Sequence, residues 1–299
     1  MSRTIPFLGV FLALLAGGAL AQARPADLTA ERPAILEALR LAEQGQLSLT
    51  DLARVKDHPL LPWVEAIHLR RRMASVPASE VRAGLRRYEG EPAGEWLRTA
   101  WLHHLAANKR WADLLADWRP TDSRELRCAH LAARLATGAT DAQWIADGKA
   151  LWLTGESLPD ACDTPFASLQ ALGQIDAGLR WQRIELALLG GQTGLARFLA
   201  RGLPAEAAKL ANDYADFIES PHARAAGWPK DARSRAIAAE GLARLARRSP
   251  DAAEAQLATL GAALDLDEAA RGKVLYEVAL WTVASYLPGA RERLEKVPR

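Results

Sequence analysis

An all-α fold, a superhelical α-solenoid of short stacked helix pairs, is what this sequence predicts. Ala, Leu and Arg dominate its 299 residues, and all three favour helix. β-Branched residues are sparse, and no stretch alternates with period two, so strands are not expected. Gly and Pro punctuate the chain so often that helical pairs return about every 25–40 residues without a strict consensus. A compact bundle would show fewer and longer helices. A single hairpin leaves one apolar side uncovered, and stacked neighbours supply the missing surface.

The first helix opens at Thr29-Ala-Glu-Arg-Pro33 and runs to about Glu43, with Leu36, Ala38 and Leu39 facing inward and Gly45 as the stop. Thr50-Asp51 starts a short turn or helix ending near Asp57. Pro59 breaks the chain, and Leu60 to Met73 continues as helix with Leu61, Val64, Ile67 and His68 as the inward stripe. Pro77 and Ser79 open a segment to about Tyr88, which Gly90 and Pro92 separate from the next. Gly94 to Ala107 carries Trp96 and Trp101 on a wide apolar face. Asn108 and Lys109 turn the chain, and Trp111, Leu114, Leu115 and Trp118 make a second stripe before Pro120, which completes an αα-hairpin.

Further helices follow the same grammar. Ser123 caps one to about Ala136, and Asp141 caps one to about Leu153. Thr164-Pro165 opens one to Leu172, and Asp176 one to Leu189. Shorter helices are expected near 193–201 and 205–219, a loop from Ser220 to Asp231, and helices again near 232–248, 251–263, 267–285 and 289–296.

The N-terminus sets the expected compartment. Arg3 is the only charge before Arg24, Phe7 to Ala16 is apolar, and Ala21-Gln22-Ala23 follows. A basic start, a short apolar run and an A-x-A site make a secretory signal peptide. A membrane-spanning helix needs about 20 apolar residues, more than this run offers. Residues 1–23 therefore read as a leader cleaved after Ala23, with no membrane association afterwards, and residues 24–299 as one helical-repeat domain. The chain carries 38 Lys and Arg against 36 Asp and Glu, and the leader removes only Arg3. That near-neutrality excludes partners chosen by bulk charge, nucleic acid above all. Arg70-Arg71-Arg72 reads as a solvated helix face. Cys128 and Cys162, 34 residues apart, form either a disulfide or two buried free thiols.

No pattern marks an active site, a metal or a cofactor. Glu95, Glu156 and Glu185 are carboxylates without the context that a glycosidic acid needs, and each reads as a solvated helix residue. His103 and His104 are adjacent, so their rings diverge by about 100°, unlike the i, i+4 pairs of metal helices. The cysteines lack C-x-x-C spacing. Gly190-Gly191-Gln192-Thr193-Gly194 resembles a phosphate loop only loosely, with no lysine after the last glycine. Ten tryptophans invite a sugar-binding reading, but Trp63, Trp96, Trp101, Trp111, Trp118, Trp152 and Trp181 sit at core spacing. Trp228, in the Pro/Gly-rich segment, is the candidate for an exposed glycan contact.

Several strings, in order, carry a family resemblance. They are His58-Pro-Leu-Leu-Pro-Trp63, Leu97-Arg-Thr-Ala-Trp101 with Trp111 and Asp117-Trp118, Leu126-Arg-Cys128, Leu151-Trp152-Leu-Thr-Gly155 leading to Cys162, and Trp181-Gln-Arg183-Ile184. Together they resemble the N-terminal superhelical domain of soluble lytic murein transglycosylases. The resemblance implies a periplasmic setting and a U-shaped helical domain. In members of that family a linker domain closes the helical domain into a ring, and a lysozyme-like domain with one catalytic glutamate follows. It implies cleavage between N-acetylmuramic acid and N-acetylglucosamine in peptidoglycan, with anhydromuramyl products. It also implies that Cys128 pairs with Cys162.

The departure is in the chemistry. The family's Glu-Ser-x-Phe and Gly-Leu-Met-Gln strings are absent, and Met1 and Met73 are the only methionines. Glu156-Ser157 matches half of the first string but is followed by Leu158-Pro159. The expectation is a truncated or fragmentary member that is inactive alone and has no cofactor. Glycan strands are the expected partners, met through a catalytic domain this chain lacks, with the helical surface shaping their access to it. The alternative is a periplasmic helical-repeat module that binds other proteins, and fold alone does not choose between them.

Overall fold

Sixteen α-helices and no strand occupy residues 28–298, the part that the computed structural model describes. The leader expected over residues 1–23 and its expected cleavage site lie outside the described residues. No helix among the described residues is long and apolar enough to cross a membrane. The chain divides into two compact units between Thr99 and Ala100.

The first unit contains α1 (Arg32–Gln44), α2 (Leu49–Arg54), α3 (Leu61–Arg72), α4 (Ala78–Arg87) and the start of α5 (Pro92–Ala107). Gly45 ends α1 in the left-handed region at φ 71°, where a side chain would be strained. Ser48 and Asp51 form a reciprocal capping box at α2. The inward stripe of α1 is Ile35, Ala38 and Ala42, whereas Leu36 is 56% exposed. Of the expected stripe, Ala38 is buried and Leu39 half-buried against the same cluster, and Leu36 alone faces away, one position and about 100° of helix rotation from Ile35. On α3 the buried residues are Val64, Ala66 and Leu69, with Leu61, Ile67 and His68 half-buried. α3 packs against both α1 and α4, so its buried face is broader than a single seam.

The second unit runs from the end of α5 through α6 (Trp111–Ala116), α7 (Arg124–Ala136), α8 (Ala142–Trp152), α9 (Asp163–Ala171), α10 (Ala177–Leu189), α11 (Thr193–Ala200) and α12 (Ala205–Glu219). It continues with α13 (Ala232–Ala246), α14 (Pro250–Ala263), α15 (Glu268–Ala284) and α16 (Ala290–Glu295). Neighbours in sequence pack on one another from α10 to α16, as stacked pairs require. The segment expected as a loop from Ser220 to Asp231 contains one short 3-10 turn, Ala223–Gly227.

α13 is the hub. It touches α10, α12, α14 and α15, and it is buried on nearly every side. Its sequence suits that position: Ala238, Ala239, Gly241 and Ala243 let neighbours approach closely. A Cβ on Gly241 would lie 2.5 Å from the Phe217 ring of α12. The charged member of the buried set, Glu240, receives Arg244 and Lys273 at 2.6 Å each, which fastens α13 to α15.

Candidate functional site

Beside the disulfide of the second unit, Trp152, Phe166, Arg180 and Arg183 line one cavity with Cys162. Ser123 caps α7 and Asp141 caps α8 through their side-chain oxygens. The two helices pack together, and Trp144, fully buried, donates its indole N–H to the main-chain oxygen of Leu131 at 2.9 Å. Cys128 on α7 is bonded to Cys162 in a 3-10 turn, Asp160–Cys162, with their Cα atoms 4.7 Å apart. The bond ties the start of α9 to the middle of α7, and both sulfurs are buried.

Between α8 and that turn runs the Leu-Thr-Gly stretch. Glu156 sends its carboxylate to Arg124, and its main-chain oxygen accepts from Arg183 Nη2 at 3.3 Å. A Cβ on Gly155 would come within 2.5 Å of the Leu186 carbonyl oxygen, so only glycine lets this strap lie against α10. Trp152 meets Phe166 edge to face at 5.1 Å and lies under the Arg183 guanidinium at 4.2 Å. Arginine on tryptophan recurs elsewhere: Arg233 on Trp181 at 4.5 Å in this unit, and Arg70 on Trp96 at 4.9 Å in the first.

The carboxylates considered as acids are engaged or exposed. Glu185 pairs with Arg233 at 3.3 Å, Glu156 with Arg124, and Glu95 is exposed with Arg98 Nε 3.8 Å away. His103 and His104 diverge as expected. His103 is 3.7 Å from Glu125, beside Trp111 in a groove of about 490 Å3, while His104 stacks on Trp101. Burial, with the Arg110 charge, lowers the His104 pKa below its ordinary value. No cluster of three metal-ligating side chains occurs among the described residues. The Gly190-Gly191 turn, with Gly191 at φ 75°, is occupied by Arg244, which donates to the Leu189 carbonyl at 3.0 Å.

The tryptophans divide more finely than their spacing predicted. Trp101 and Trp152 are buried, but Trp63, Trp96, Trp111, Trp118 and Trp181 are half-buried. Trp228 corrects the expectation of an exposed stacking face. It is 6% exposed, its ring meets Tyr214 and Phe217 at 4.6 and 4.9 Å, and its indole N–H donates to Asp213. Residues 220–231 fold back over α12, so the Pro/Gly-rich composition marks a turn that buries its aromatic residue. Arg180 and Arg183 are both buried, and helical spacing places them without showing what they face; no site role was expected for either, although Arg183 belongs to the Trp181-Gln-Arg183-Ile184 string.

No family model matches this chain. It is 31% identical over 233 residues to the soluble lytic murein transglycosylase of Salmonella typhimurium, an overlap of 76% of this chain and 36% of that protein. The corresponding protein of Escherichia coli K12 is 30% identical over 220 residues, 72% of this chain and 34% of that one. The chain therefore spans about a third of the length of the curated relatives it matches. Among solved structures, the 70-kDa soluble lytic transglycosylase of Escherichia coli superposes with a TM-score of 0.76 at 25% identity, covering 90% of this chain and 45% of that one. An inactive mutant of the lytic transglycosylase Slt from Pseudomonas aeruginosa gives 0.65 at 25% identity, over 88% of this chain and 44% of that one.

Proposed function

Homologous over most of its length to one part of the soluble lytic murein transglycosylases, this chain is, we propose, the non-catalytic helical portion of a periplasmic murein-processing protein. Its stacked helices act as a wall that shapes the access of glycan strands to lysozyme-like chemistry carried elsewhere. The observation that carries this reading is the agreement of sequence and fold over the same region. The strings that resemble the family include the strap from Trp152 to Gly155, which is built into the packing on α10. The carboxylates Glu156 and Glu185 are tied to arginines, and neither has the apolar setting of a glycosidic general acid.

Co-sedimentation with purified murein sacculi tests the proposal. The chain is expected in the pellet, released by soluble murein fragments. A chain that stays in the supernatant at every protein-to-sacculus ratio contradicts it. A second reading, a module that binds other periplasmic proteins, is favoured by one observation: Tyr276, Leu280 and Val283 form a stripe on α15 that is 55%, 41% and 45% exposed. Retention on sacculi after removal of bound protein separates the two, because only glycan binding survives that treatment.

A further inference from the structure

A cavity of about 650 Å3 in the second unit is lined by apolar side chains, among them Phe166 and Phe198, together with Arg180, Arg183 and Arg201. Arg180 and Arg183 lie three residues apart on α10, which brings both to one side of the helix. They are 8% and 4% exposed, and neither has an ion-pair partner among the described residues. Arg183 reaches only the Glu156 main-chain oxygen and the Trp152 ring, and Arg180 only that same ring, 5.8 Å from its centroid. The Glu156 carboxylate is turned away to Arg124. Asp163, also on the cavity wall, is exposed and pairs with neither arginine.

Donors are left over as well as charge. Arg183 Nε and Trp152 Nε1 are both buried without an acceptor. Buried N–H groups are nearly always bonded, and buried charges are nearly always paired. Gly202 fits the same picture, since a Cβ there would strike the Arg180 guanidinium. Burial, and then the Arg180 charge, push the Arg183 pKa down to about 10, which still leaves it cationic at neutral pH.

We propose that this cavity binds an organic oxyanion, a carboxylate or phosphate group carried on an apolar body. Two guanidinium groups on one helix face present forked donors that match either oxyanion. Arg201, exposed and lining the same cavity, adds a third positive charge and stacks on Phe198 at 4.9 Å. The Phe198 ring, 59% exposed, and Phe166 offer surface to the apolar remainder of the ligand. A bare inorganic ion would leave most of the space unfilled. The proposal does not depend on the murein reading.

The test uses the full chain, labelled with nitrogen-15, at an ionic strength held constant with chloride. The indole N–H signal of Trp152, assigned with Trp152→Phe, is followed during titration with sodium hexanoate, phenyl phosphate or inorganic phosphate. A saturable displacement by hexanoate or phenyl phosphate is expected, and the tighter of the two identifies the oxyanion. Affinity should fall at least tenfold in Arg180→Gln and in Arg183→Gln, and several-fold in Arg201→Gln, whose exposed position leaves the fold intact. No saturable displacement in the unsubstituted protein overturns the proposal even if the buried variants fail to fold. Equal affinity in the folded variants also overturns it, and so does inorganic phosphate binding as tightly as the organic anions.

Discussion

Trp228 donates its indole N–H to the Asp213 carboxylate at 2.6 Å, and that bond pins the 220–231 segment onto α12. Asp213 also lies 3.2 Å from Arg224 and 3.6 Å from His222, both in the same segment. Trp228→Phe should keep the ring contacts with Tyr214 and Phe217 and lose one charge-assisted bond, at about 1–2 kcal/mol. Trp228→Ala should cost about 3–5 kcal/mol through the cavity it leaves. Urea unfolding followed by circular dichroism measures both. Retention on sacculi should not change in the Phe variant, since a buried ring has no face to offer a sugar.

The Cys128–Cys162 bond closes a loop with a sequence separation of 34. On the chain-entropy account, opening it should lower stability by about 3–4 kcal/mol. Cys128→Ala with Cys162→Ala, compared with the oxidised protein in urea, gives the value. Intact mass with and without reductant and alkylation should show the bond in protein prepared by export, and an unchanged mass would contradict the pairing.

Glu240 links acid sensitivity to the hub helix. Burial pushes its carboxyl pKa up, but Lys273 and Arg244 outweigh that and hold it below the ordinary carboxylate value. A lowered folded-state pKa gives stability that is present above the unfolded value, about 4.3, and lost as pH falls through the folded one. The melting temperature should therefore drop in mildly acidic solution below about pH 5. Glu240→Gln should lower it at neutral pH, by a loss of about 1–3 kcal/mol, and flatten that part of the pH profile. A profile parallel to that of the unsubstituted protein would remove Glu240 from the account.

Gly241→Ala sets helix propensity against packing. In an open helix the change stabilises by about 1 kcal/mol. Here the new methyl meets the Phe217 ring, which is not the end of a flexible chain, and a net loss of about 1–3 kcal/mol is expected. Thermal unfolding of the two proteins decides the sign.

The fold was readable because helix formers, caps and stops agree along the chain. Ser123, Asp141 and Asp176 each cap the helix they were expected to open. What periodicity could not give was phase and facing. Leu36 and Ile35 are equally apolar, and only the position of α3 selects Ile35. Trp144 is fully buried where Trp118 and Trp181 are half-buried, and its indole N–H meets a main-chain acceptor on α7 that periodicity does not reveal. Nothing in the sequence singles out Arg180, and Arg183 enters only within the Trp181-Gln-Arg183-Ile184 string; their lack of carboxylate partners appears only when α8 to α11 come together. Trp228 misled for a related reason, since Pro and Gly mark a turn without saying which way its side chains point.

Incubation of purified sacculi with this chain, followed by mass spectrometry of the soluble products, tests the central claim most directly. The account predicts that the chain associates with the sacculi and releases no anhydromuramyl product above the level of a protein-free control. Product that increases with the amount of added chain would place bond-breaking chemistry within these helices and contradict the reading of them as a non-catalytic wall.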